Sequence, residues 1–160
     1  MQDLALPLAQ AVLVALQACW LTLGVWDNMR HPRINRDDIA RVLELKALEG
    51  HPDLLAALGH RRVTNPRSVQ ALFVAVIVIE AAVSVALWIG ALGMLGALAG
   101  WLDAGGARAL AILGVLGFTA IWAAFLIGGQ WFYYWYGAFG QDTHFRLLAW
   151  GLLTLLILAA

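Results

Sequence analysis

From Val69 to Leu98 the chain reads VQALFVAVIVIEAAVSVALWIGALGMLGAL, with one ionisable side chain, Glu80, in the whole stretch. The hydrocarbon core of a bilayer is about 30 Å thick, and roughly 20 apolar residues of helix cross it. This stretch is long enough to cross with tilt. Three others resemble it. Leu4 to Trp26 carries no charge between Asp3 and Asp27, and Ala109 to Phe132 carries none at all. Phe145 to Ala160 has only Arg146 near its start and is the shortest. The reading is therefore an all-α bundle of four transmembrane helices forming a single membrane domain, with spans at 4–26, 69–98, 109–132 and 145–160 and a loop at 27–68.

Composition supports lipid as the solvent. Of the 160 residues, 62% are hydrophobic and only 12% are Asp, Glu, Lys or Arg. A soluble domain carries about 25% charged residues, so too little polar surface remains to cover a particle of this size in water. Ten basic and ten acidic residues balance, which leaves no electrostatic footprint for nucleic acid. The single cysteine, Cys19, makes no internal disulfide, and no Cys/His spacing points to zinc or an iron–sulfur cluster. The first segment lacks a basic n-region and a convincing cleavage site, so it reads as a retained span and not a signal peptide.

Charges gather at the joints. The loop 27–68 holds eight of the ten basic residues and six acids. Within it, Arg36 to Leu48 has Ile39, Val42, Leu43 and Lys46 at spacings of three and four, the pattern of an amphipathic helix. Pro52 to Leu58 reads as a second short helical turn closed by Gly59. Counted by side, the long loop and Arg146 contribute nine basic residues against Arg108 alone. The positive-inside rule then places both termini outside.

Glu80 is the twelfth residue of its span, roughly 16 Å deep at 1.5 Å per residue. A charge there costs at least about 2.5–3.5 kcal/mol, so the carboxyl must face the bundle interior, a cavity or a partner. Counting inward from the same face puts Gln17, Thr119, Trp122 and Thr154 close to its level, with Ser84 one turn away. One reading is a polar clasp in which a neutral carboxyl bonds Gln17 and Trp122 Nε1. The other is a proton, ion or ligand site.

The run Trp131-Phe132-Tyr133-Tyr134-Trp135-Tyr136 also has two readings. Trp and Tyr favour the headgroup level, which makes it an interfacial belt. Six consecutive rings with Phe139 nearby, the Gln130 amide at the edge and the Arg146 guanidinium across the interface also suit a lipid headgroup or quinone-like ligand. Gly93, Gly96 and Gly100, with Gly90, lie on the second span and Gly114 and Gly117 on the third, where small residues permit close helix approach. The histidines, three in the first loop and His144 at an interface, do not face each other from mid-span as haem ligands would. No catalytic motif, metal site or cofactor-binding motif is present.

Gly128-Gly129-Gln130-Trp131-Phe132, then Trp135, Gly140-Gln141 and Phe145-Arg146 resemble a bacterial family of small integral membrane proteins, domain-of-unknown-function family 2165. The resemblance covers nearly the whole chain, from Asp27-Asn28 after the first span, through the long loop and Glu80, to the aromatic loop. The family pattern favours Glu where this chain has Gln130, and the segment between Trp135 and Gly140 is shorter here. The resemblance implies a location and an architecture without an activity, and places the N terminus inside, opposite to the charge count. The expectations are a multi-pass protein of the bacterial inner membrane, without an assigned catalytic role, that binds a partner membrane protein, a second copy of itself or an apolar, lipid-like ligand. The alternative is a small transporter or proton-coupled subunit using Glu80.

Overall fold

A computed structural model describes residues 2–137 and 139–160 of the chain, with the side chains of residues 2, 3 and 139 outside the description. The ring of Phe139 therefore lies outside the described side chains. The protein is 88% helical, with no strand among the described residues. Six α-helices run in order: α1 Gln2–Arg30, α2 Pro32–Leu43, α3 Pro52–Leu58, α4 Pro66–Leu98, α5 Ala104–Trp131 and α6 Phe139–Ala159. Three short 3₁₀ turns, Lys46–Leu48, Gly59–Arg61 and Tyr134–Tyr136, lie between them. Four helices, α1, α4, α5 and α6, are long and apolar enough to cross a membrane.

Local chemistry sets the ends. Prolines open α2, α3 and α4 at their first turns, where the missing N–H is no loss and φ is already helical. Asn65 caps α4 by accepting from Arg67 N at 2.9 Å, and Asp103 caps α5 by accepting from Gly106 N at 2.6 Å. These caps start both helices earlier than hydropathy alone marks, at Pro66 instead of Val69 and at Ala104 instead of Ala109. Likewise α1 continues through Asp27–Arg30 until Pro32 restarts the chain as α2, and α6 begins at Phe139, before its apolar run.

The amphipathic helix expected over Arg36–Leu48 is displaced. It begins at Pro32 and stops at Leu43, because Leu45 adopts a left-handed conformation with φ 55°. Leu43, Leu45 and Leu48 are buried, and Val63 N bonds Leu43 O at 3.0 Å. The first loop is thus a folded cap. The short helix expected at Pro52–Leu58 is α3.

The bundle is a folded strip, with α4 central. It packs along α1 and α5, and α5 packs along α6, while α1 and α6 meet sparsely. The shared core includes Val14, Ala18 and Leu21 of α1, Leu87 and Ala91 of α4, Val115, Phe118 and Trp122 of α5, and Leu147 of α6. The opposite faces are apolar too: Leu23, Val85, Leu113 and Leu156 are all exposed. Apolar surface on this scale marks a membrane-facing exterior.

Glycines set the α4–α5 distance. A Cβ on Gly90 would lie 2.5 Å from the Cα of Ala111, and one on Gly114 would lie 3.0 Å from Leu87 N. Gly93 faces Ala107 and Gly117 faces Val83. Gly96 and Gly100 do not act as a helix-packing pair. Gly96 meets the side chain of Leu102, and Gly100 lies past the helix with φ +76° and nothing near its missing Cβ. Trp101 N bonds Gly96 O at 2.9 Å and Gly100 N bonds Ala97 O at 3.0 Å. This is a Schellman closure, in which glycine supplies the left-handed residue.

Candidate functional site

Glu80 is buried on α4, where its Oε2 accepts from Asn28 Nδ2 at 3.3 Å. Asn28 in turn accepts from Asn35 Nδ2 at 2.7 Å. Asn35 is exposed on α2, so two amides link the carboxyl to the surface of the cap. One turn further along α4, Ser84 Oγ lies 2.8 Å from Thr22 Oγ1, which also accepts from Trp88 Nε1 at 3.0 Å. The α1/α4 seam therefore carries a polar ladder.

This corrects the partner of Glu80. Counting inward pairs it with Gln17, but it meets Asn28 at the far end of α1. At 33 residues α4 is longer than α1, and its first turns run past the end of α1 beside α2. Equal counts from one face do not give equal levels when helices start at different heights. Gln17 serves another seam: its Nε2 donates to Thr154 Oγ1 at 2.9 Å on α6, and Gln10 donates to Ile157 O at 2.6 Å. Thr119 bonds within its own helix, to Val115 O at 2.7 Å. Trp122 Nε1 and Gln17 Oε1 are buried without a protein partner.

Trp122 belongs to an aromatic stack. The His144 imidazole lies between the Trp122 ring, at 5.6 Å and 30°, and the Tyr134 ring, at 6.0 Å and 20°. Phe125 closes one side at 5.0 Å, and Tyr134 Oη approaches His144 Nδ1 at 3.4 Å. Tyr134 lies directly on Gly129, where any Cβ would collide with its ring. Tyr133 reaches this arrangement with φ 54°, a left-handed conformation unusual for a bulky residue. Burial pushes the Tyr134 phenol above its ordinary value.

The rest of the aromatic run carries the cap. Arg61 stacks over the Trp131 ring at 4.1 Å and its Nη1 donates to Trp131 O at 3.1 Å. His51 meets Tyr136 edge-on at 4.9 Å, and a Cβ on Gly137 would lie 3.3 Å from Ala47. Trp135 stacks on Tyr133 at 5.6 Å and stays partly exposed. Gln130 and Arg146 are exposed, and the described hydrogen bonds and cation–π contacts do not include their side chains. The rings thus form a docking platform for the first loop, with Gln130 and Arg146 outside it.

At one corner of the molecule two surface recesses adjoin. Between α2 and α4 a cleft of about 310 Å³ is lined by Arg36, Ala40, Glu44 and Gln70 among others. It shares Pro66 and Gln70 with an open apolar face of α4 that runs past Arg67, Ala71, Val74, Ala75 and Val78. These positions recur at intervals of three and four and form one stripe. The spacing Ala71-x-x-x-Ala75 is a small-residue signal legible in the sequence. The choice of Arg61, Asn28 and His144 is not, because nothing local distinguishes them from their neighbours. Among the described residues no group of three His, Cys, Asp or Glu side chains is placed to hold a metal ion.

The architecture defines a multi-pass helical membrane protein. The chain belongs to the family described as predicted small integral membrane protein (DUF2165), whose model matches residues 6–160. No curated protein and no solved structure gives a match.

Proposed function

We propose that this protein is a non-enzymatic module of the bacterial inner membrane that binds a lipid-like ligand where its cap meets α4. The observation that carries the reading is the cleft between α2 and α4, where Arg36, Glu44, Thr64 and Gln70 stand beside apolar groups, adjoining an open apolar face of α4 at Pro66 and Gln70. An amphiphile has the same division, and ligand sites combine apolar walls with a few placed polar groups. The aromatic platform supports the reading indirectly, because it holds the cap in place through Arg61 and so fixes one wall of the corner. Native mass spectrometry of protein extracted in mild detergent tests it: a retained amphiphile, lost when Ala75→Trp crowds the α4 face, is expected. A chain that carries only a second copy or another protein, with no small amphiphile, overturns it.

A second reading is favoured by the chain of bonds from exposed Asn35 through Asn28 to buried Glu80. A buried carboxyl held beside the cap suits a proton-coupled subunit, with the two amides positioning it and water carrying the proton. Glu80→Gln would then abolish flux in proteoliposomes at unchanged folded yield, and normal flux in that variant removes the idea.

A further inference from the structure

The two ends of the bundle differ in charge. At the cap end each membrane helix has a guanidinium. Arg30 is the last residue of α1 and lies over the Trp26 ring at 5.6 Å. Arg67 stands in the first turn of α4. At the end of α5, Arg61 of the cap stacks on Trp131 at 4.1 Å and bonds its carbonyl. Arg146 is exposed two turns into α6, just before the apolar run begins. Among the described residues none of these four forms an ion pair: Asp37, Asp38, Glu44 and Glu49 go to Arg36, Arg41 and Lys46. Those pairs lie within the cap and leave the rim guanidiniums without a counter-charge. At the other end Arg108 is the one basic residue of the chain. Trp26 and Trp131 are exposed beside the rim, and Trp101 is exposed in the α4–α5 turn. Tryptophan favours the headgroup level, so these rings mark both interfaces. Along α5 the rise from Arg108 to Trp131 is about 35 Å, against about 30 Å for the hydrocarbon core.

We infer that the cap lies on the cytoplasmic side of the membrane and the α4–α5 turn on the outer side, with the four rim guanidiniums among the anionic headgroups of the inner leaflet. This rests on the inner-membrane reading above and needs no bound ligand. Arginines within about 15–20 residues of a span's end set its orientation, whereas acids contribute little. The rim meets that condition at all four spans. The negative surface potential of the cytoplasmic leaflet attracts it, and guanidinium forks match phosphate oxygens with charge-assisted hydrogen bonds. The family resemblance implies the opposite orientation, which calls for basic residues at the start of α1 and around the α4–α5 turn. This chain has Gln2, Asp3 and Asp103 there, with Arg108 alone of the basic residues. The cap, with Asn35 and its amide link to Glu80, then faces the cytoplasm, and a soluble partner of the cap is a cytoplasmic one.

The test is single-cysteine labelling in a Cys19→Ser background, with a membrane-impermeant maleimide applied to intact and to lysed spheroplasts. Trp101→Cys should label in both. Ala56→Cys, at an exposed position of α3, should label only after lysis. Labelling of Ala56→Cys in intact spheroplasts overturns the orientation and leaves the inner-membrane reading standing. Absence of the unaltered chain from the inner-membrane fraction defeats both. The rim is tested by moving its charge, with Arg30→Gln, Arg67→Gln and Arg146→Gln at one end and Trp101→Lys and Leu102→Lys at the other. This transfer should raise Ala56→Cys labelling in intact spheroplasts at least about fivefold. Unchanged labelling overturns the part given to the rim. Should the variants fail to fold, trypsin on the unaltered chain decides: cleavage of the cap in inverted vesicles and not in intact spheroplasts is expected, and cleavage in intact spheroplasts overturns the proposal.

Discussion

Glu80 and Asn28 meet across the α1/α4 seam at 3.3 Å, both buried, and Asn28 is tied at 2.7 Å to Asn35 on the cap. One amide thus joins two membrane helices to the folded cap. Asn28→Leu should destabilise the protein by about 1–3 kcal/mol, because it leaves the carboxyl buried without its donor. Glu80→Gln keeps a side chain able to bond Asn28 and should cost less. Thermal unfolding followed by tryptophan fluorescence compares the two. A Glu80→Gln protein weaker than Asn28→Leu would contradict the clasp.

Close approach of α4 and α5 at Gly90 leaves no room for a side chain. Gly90→Val should displace the helices and sharply reduce the folded yield in detergent. Gly100→Ala faces open space but must adopt φ +76°, so its expected cost is only about 1 kcal/mol. Size-exclusion profiles and thermal midpoints of both variants check the contrast.

The cap should loosen when Arg61 is removed. Arg61→Ala deletes both the stack on Trp131 and the bond to its carbonyl, while Arg61→Lys keeps the charge and loses the planar fork. Faster hydrogen exchange across residues 44–62 is expected for Arg61→Ala, with Arg61→Lys intermediate. Unchanged exchange would mean that the platform does not hold the loop.

Tyr134 supplies a pH signature. Burial raises its ionisation above the usual 10.0. The buried phenol stays neutral longer than the unfolded one, so its contribution to stability is complete below the ordinary value. That contribution disappears as pH climbs through the raised value. Alkaline ultraviolet titration should contain a late phenolate component that Tyr134→Phe deletes.

The four spans were legible because apolar length is a local property of the chain. Register between them was not, because it depends on where each helix starts. Glu80 meets Asn28 instead of Gln17 because the first turns of α4 run past the end of α1 beside α2; the move of the helix start from Val69 to Pro66 is too small to account for it. Gly100 looked like part of a packing motif from its spacing to Gly96, and only its backbone conformation shows a turn. The aromatic run was visible as a cluster of rings. Its contacts with Arg61 and His51 were not, since they join residues 70 and 85 positions apart. In the long loop many basic residues look alike, and the cap's fold selects Arg61.

Gln10 and Gln17 both reach α6 through main-chain oxygens, at Ile157 and Trp150, with the Thr154 hydroxyl as one further acceptor. A peptide oxygen is offered by any amino acid that keeps the helix. The last helix can therefore change its side chain at 157 without losing that fastening to the first, whereas Thr154, which takes the 2.9 Å bond from Gln17, and the two glutamines have no such freedom. Homologues should drift at 157 and hold an amide at 10 and 17 with a hydroxyl at 154.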